Sequence, residues 1–137
     1  MNNLSFHITD ITANSIRANA SEIGLSVEEQ DTRIVIRITD NGSGMDAETA
    51  RRVTNPFYTT RTTRKVGLGL PFLIQNAEQT GGSVTLTSEP GKGTEVRAVF
   101  HSDHIDCPPW GDLPGTVALL ITGNPEINVC FEYRSGE

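Results

Sequence analysis

Cysteine is scarce: Cys107 and Cys130 are the only two in 137 residues, and they lack CxxC spacing. That leaves neither a disulfide framework nor a cysteine zinc site as an organising device. Basic excess is missing as well, with 11 Lys and Arg against 17 Asp and Glu and a formal net charge of −6. A surface that follows a phosphate backbone needs clustered Lys and Arg, and the basic residues here are scattered apart from the group Arg61, Arg64 and Lys65 and the pair Arg51-Arg52. No apolar run approaches the roughly 20 residues that span a bilayer, and the first residues show no charged-then-apolar signal pattern. Nucleic acid and membrane are therefore not expected partners, and a cytoplasmic setting is the expectation. Internal repeats and low-complexity tracts are also absent.

What is present suffices for one core: 36% of residues are apolar, over a length typical of one domain. Residues 3–20 predict a helix, with Leu4, Ile8 and Ile11 at helical spacing and Ser15 continuing the stripe. Residues 23–29 and 33–39 predict two strands, paired as a hairpin through the polar "EQDT". A short helix is expected over 46–53, with Asp46 favourable in its first turn. The stretch "TNPFYTTRTTRKVG" has no periodicity and reads as a long loop, a length common in functional lids. A second long helix is expected to begin near Pro71 and stop at Gly81-Gly82. The hairpin "SVTLTSE", "PGKG", "TEVRAVF" follows. Beyond His101 a linker-like passage leads to "TVALLIT", readable as helix or strand, and to the strand "INVCFEY". The order predicts an α+β fold, a two-layer α/β sandwich. Residues 1–100 are expected to form the domain, and 101–137 an extension packed on it.

Three constellations carry chemistry. At about 100° per residue, Asp10, Asn14 and Arg17 fall within an arc of about 60°, apart from the apolar stripe. They read either as a solvated face or as a site for a metal and an anion, and a mid-helix Asn needs a reason. In "RIVIRITDNGSGM", Asp40 is in phase with Ile34, Ile36 and Ile38, and Gly42 and Gly44 follow. An Asn-Gly hairpin turn with Asp40 as its flank is one reading; a carboxylate aimed inward is the other. In "KVGLGLPFLI", Gly67 and Gly69 precede a helix start, whose free N–H groups suit a phosphate. A simple tight turn would use the same glycines, and the spacing matches neither GxGxxG nor GxxxxGK[ST].

In this order the three resemble the ATP-binding fold, the Bergerat fold, shared by DNA gyrase, Hsp90, histidine kinases and MutL (the GHKL superfamily). "DITANSIRA" looks like the N box, "DNGSGM" the G1 box, "NPFYTTR" the F box, "GLGL" the G2 box and "GKGTEV" the glycine-threonine box. The resemblance covers residues 2–100 and is closest to the histidine-kinase branch. It implies a mixed, mostly antiparallel sheet with helices on one face.

The resemblance also implies roles. Asp40 would accept the adenine amine, directly and through a water shared with Thr94. Gly42 and Gly44 would leave room for the base, and Met45 would cover it. Asn14 would bind Mg2+ bridging to the triphosphate of ATP, with Arg17 beside the phosphates. Gly67, Leu68, Gly69 and Leu70 would cradle phosphates, and residues 55–66 would form the lid. Lys65-Val66 departs from the family, which often has another glycine there; the pair either stiffens the lid or lets Lys65 add charge near the γ-phosphate. Asp10 stands where many ATP-hydrolysing members carry a glutamate, so it is the catalytic base candidate, one methylene shorter. His7 reads as core rather than phosphoacceptor. His101, Asp103, His104 and Asp106 read as a solvated loop rather than a metal cluster, and Pro108, Pro109 and Trp110 as tail packing.

With the N box almost at the first residue, the expectation is a stand-alone ATPase or kinase module acting on a separate protein. The alternatives are an ATP-dependent protein-binding regulator resembling anti-sigma factors, or an excised catalytic domain of a sensor kinase. The segment after His101 weighs against the last.

Overall fold

A computed structural model describes residues 3–54 and 69–136. In chain order the elements are α1 (Leu4–Arg17), β1 (Glu22–Gln30), β2 (Arg33–Asp40), α2 (Ala47–Thr54), α3 (Gly69–Gln79), β3 (Ser83–Glu89), β4 (Gly93–His101), α4 (Leu113–Thr122) and β5 (Asn128–Gly136). Asn3 caps α1, its side chain accepting the Phe6 N–H at 2.6 Å. Leu4, Ile8, Ile11 and Ser15 form the buried stripe of that helix, which ends at Arg17 rather than residue 20. The β1–β2 turn is two residues long, and Asp31 takes its left-handed position at φ 55.

The strands make one five-stranded sheet in the order β3-β4-β2-β1-β5, antiparallel throughout except β1–β5. The row Phe131–Leu25–Ile38–Val96–Leu86 crosses all five strands. Inward residues of the middle strands, such as Val27, Ile36 and Ala98, are buried against the helices. The Arg37–Glu95 ion pair, 3.0 Å, lies on the opposite face, where side chains remain exposed. The structure is thus an α+β fold with helices on one face of a mixed sheet.

"TVALLIT" is helical. Asp112 caps α4 by accepting the Gly115 N–H at 3.1 Å, and Pro114 sits in the first turn. Topology agrees, because β4 and β5 run parallel and a connection between parallel strands needs a crossover, usually a helix. The passage before α4 serves α1. The Pro109 carbonyl accepts the Leu4 N–H at 2.8 Å, and the Trp110 carbonyl accepts the Ser5 N–H at 3.1 Å and its hydroxyl at 2.6 Å. Donors that a helix start leaves orphaned are thereby paired.

His7 lies 1% exposed between α1 and α3, with its ring 5.4 Å from that of Phe72 and 6.4 Å from that of Phe100. Its Nε2 accepts from Asn76 Nδ2 at 2.7 Å, and its Nδ1 has no partner. A buried ring of this kind has no access to a phosphoryl donor. Burial lowers its pKa to about 4 from an ordinary 6.5. Between those values the unfolded chain binds a proton that the native chain refuses, so stability falls as pH drops through the window. The whole displacement corresponds to about 3 kcal/mol at most. His7→Leu is expected to cost about 1–3 kcal/mol at neutral pH, because Asn76 loses its acceptor. The same variant should flatten the loss of stability between neutral pH and about pH 5, read from urea midpoints at each pH.

Candidate functional site

The alternation that buries Ile34, Ile36 and Ile38 carries the Asp40 carboxylate inward where β2 ends. Its Oδ2 accepts the Ser15 hydroxyl at 2.6 Å, and its Oδ1 accepts the Gly42 N–H at 2.9 Å. Ser15 therefore does more than continue an apolar stripe: its donor holds the carboxylate in place from α1. A carboxylate offers about four lone-pair sites, so acceptor capacity remains beyond the two bonds made.

Thr94 faces Asp40 across the β2–β4 pairing, and its hydroxyl lies 2.8 Å from that of Ser88. Ser88 Oγ also accepts the Met45 N–H at 2.8 Å and lies 3.1 Å from the Gly93 carbonyl. Nothing in the sequence marks Ser88, because its partners come from two distant segments.

Gly42 and Gly44 each bring the main chain into close contact with other backbone. A Cβ on Gly42 would stand 2.7 Å from the Ala18 carbonyl oxygen, and one on Gly44 would stand 1.9 Å from that of Glu89. Gly44 also holds φ at +71. The space these glycines leave is filled by the protein's own backbone, which brings the loop after β2 against α1 and β3.

A pocket of about 240 Å³ opens beside Asp40. Its walls are largely apolar, including Ile11, Met45, Val53, Leu70 and Val96, with Asn14, Ser15, Arg17, Asp40 and Thr94 as the polar groups that α1, β2 and β4 present. The structure thus brings Asn14, Arg17, Asp40, Gly44, Met45, Leu70 and Thr94 to one pocket, while Gly42 packs behind it. Thr49 and Val53 of α2 also line it, which the sequence did not signal. That helix is capped by Asp46, whose Oδ1 accepts the Thr49 N–H at 2.8 Å and whose carboxyl is held below the usual range by that bond.

Gly69 opens α3 two residues before the expected start at Pro71, so Gly69 and Leu70 belong to its first turn. Lys65, Gly67, Leu68 and the expected lid at 55–66 lie outside the described residues.

On α1 the Arg17 guanidinium donates from Nη2 to Asn14 Oδ1 at 2.5 Å. Asp10 stands one turn earlier on that face and is not among the groups lining the pocket. Burial pushes its carboxyl up, while the charge of Arg17 pulls the other way. Among the described residues no group of three His, Cys, Asp or Glu could hold a metal. His104 Nδ1 accepts the Asp106 N–H at 3.0 Å within an exposed loop. No helix of the described residues is long and apolar enough to cross a membrane.

The chain matches the family of histidine kinase-, DNA gyrase B-, and HSP90-like ATPases over residues 3–104. It is 29% identical to the sensor histidine kinase YxdK of Bacillus subtilis over 104 residues, 71% of this chain and 32% of that protein. Sporulation kinase C of the same organism is 30% identical over 101 residues, 72% of this chain and 23% of the kinase. The sensor kinase CckA of Brucella abortus is 34% identical over 91 residues, 66% of this chain and 10% of the kinase. The chain therefore spans a third or less of these relatives.

Gly44→Ala tests the backbone reading. The approach to Glu89 and the positive φ should together cost about 3 kcal/mol or more. Gly91→Ala, at φ +78 with nothing within 4 Å of the added carbon, should cost only the strain, about 1 kcal/mol. Urea midpoints of the two variants measure the contrast.

Proposed function

We propose that this chain, which belongs to the histidine kinase-, DNA gyrase B-, and HSP90-like ATPases, binds Mg-ATP in the pocket beside Asp40. In this reading it then hydrolyses the nucleotide or passes its γ-phosphoryl group to a separate protein in the cytoplasm. The observation that carries the reading is the Asp40 carboxylate, anchored by Ser15 and Gly42 and still able to accept further hydrogen bonds. An adenine exocyclic amine is a matching donor for the acceptor sites that this half-buried carboxylate leaves open. Because Ser15 and Gly42 hold the carboxylate beforehand, the base meets an acceptor already oriented. Thr94 adds a hydroxyl beside it, and Met45 and Val96 offer the apolar contacts that a purine face requires.

Asn14 supports a place for magnesium. Its amide oxygen is a hard donor, and magnesium takes few protein ligands while keeping several waters. When bound, magnesium supplies charge neutralisation at the phosphates. In the present arrangement Arg17 holds that oxygen. A triphosphate would draw the guanidinium to itself and so free Asn14. Metal binding is then expected to depend on nucleotide: isothermal titration with Mg2+ alone should give no heat, and Arg17→Ala should weaken ATP by about tenfold.

Asp10 is the base in this reading, its raised pKa favouring proton acceptance from a water. Its position outside the pocket lining supports a second reading, a nucleotide-dependent protein-binding module that does not turn ATP over. Since the chain spans 32% or less of the relatives described, a role as the catalytic part of a longer sensor kinase is also a proposal. Titration of the wild type with Mg-ATP should show saturable binding, and Asp40→Ala should remove it; no binding at about millimolar nucleotide overturns the proposal. Asp10→Asn should stop phosphate release and spare binding. Undiminished release in that variant eliminates Asp10 as the base, and no release from the wild type favours the binding module.

A further inference from the structure

Among the described residues the sheet ends on β5. Its nine residues run in unbroken register along β1, from Glu22↔Asn128 to Gln30↔Gly136. It contains no Pro and no Lys, the residues that most often blunt an edge, so its outer backbone groups form a template for another strand. Apolar side chains remain open beside that edge. Phe131 is 36% exposed and Tyr133 47%, on the helix-covered face. In the same layer, α4 packs against β5 and leaves Leu119 73% exposed and Ile121 44%.

Charge on the strand says what fits there. β5 carries two charged residues, Glu132 and Arg134, both on the open face of the sheet and 3.1 Å apart. Consider two copies joined edge to edge about a two-fold axis normal to the sheet. Side chains that face each other across an antiparallel pair must point to the same side, so the axis has to pass through a residue opposite its own copy. With Tyr133 on the axis, Glu132 faces the second copy's Arg134, and symmetry repeats the pair. With Glu132 or Arg134 on the axis, like charges meet head-on, which is destabilising. The strand therefore complements itself in one register, running from Cys130 opposite the second copy's Gly136 to the reverse.

We propose that β5 pairs antiparallel with β5 of a second copy of this chain, about a two-fold axis at Tyr133, extending each five-stranded sheet into one of ten. The interface is isologous, as closed dimers require. Main-chain hydrogen bonds supply the attraction, Glu132 and Arg134 set the register, and the exposed apolar groups of β5 and α4 are covered from the other copy. The nucleotide pocket stands at the end of β2 and is not covered by this pairing.

Sedimentation velocity on the whole chain tests it. The wild type should be dimeric, and Glu132→Arg or Arg134→Glu should each weaken the dimer about tenfold. An equimolar mixture of the two variants should regain it, because unlike charges face each other again in the mixed pair. The double variant E132R/R134E should also dimerise, which keeps the test valid if a single variant folds poorly; circular dichroism reports folding in each. A wild type that stays monomeric at about 100 µM overturns the proposal, as it would if the edge served a strand of another protein. A dimer indifferent to both reversals overturns it too, because the copies then meet elsewhere.

Discussion

Everything at the site depends on the hydrogen bond from Ser15 to Asp40. It joins the last turn of α1 to the last residue of β2 at 2.6 Å, and with the Gly42 N–H it holds the carboxylate where a pocket meets the core. The carboxylate is half-buried there. Paired on one side and open on the other, it becomes an acceptor with a fixed direction. Ser15 and Asp40 each obey a local pattern, a helical stripe in one case and a strand alternation in the other. Their meeting fixes the carboxylate at the pocket wall.

Around that bond the backbone is drawn tight. Gly42 lets the chain pass the Ala18 carbonyl, and Gly44 lets it pass that of Glu89. Ser88 then ties Met45 and Thr94 to the β3–β4 hairpin. The pocket is thus walled by segments far apart in sequence, held by close main-chain approaches and by short side chains such as Ser15 and Ser88. Asn14 and Arg17 follow from α1 alone, since helical spacing sets them on one face.

The segment after β4 is integral to this architecture. Its carbonyls at Pro109 and Trp110 satisfy the start of α1, and its strand joins the sheet beside β1. By pairing along β1, β5 covers that strand's edge and presents its own. Among the described residues that edge has no neighbouring strand, and Phe131 and Tyr133 beside it are exposed.

Short-range pattern alone determined much of this protein: the strands β1 to β4, the buried stripe of α1, the α+β class, and the inward phase of Asp40. These depend on periods of 3.6 and 2 residues, which the chain carries wherever it goes. The motifs also announced Asn14, Arg17, Asp40 and Thr94 as neighbours, because their order and spacing match a known ATP-binding arrangement. Only the tertiary structure decided that Ser15 is the partner of Asp40, that Ser88, Thr49 and Val53 belong at the site, and that the glycines clear backbone. It also decided that "TVALLIT" is a helix and that β5 lies parallel beside β1. Each of these depends on an atom brought from a distant segment, such as the Glu89 carbonyl at Gly44 or the Trp110 carbonyl at Ser5. A local pattern can say which way a side chain points, but not what will be waiting there.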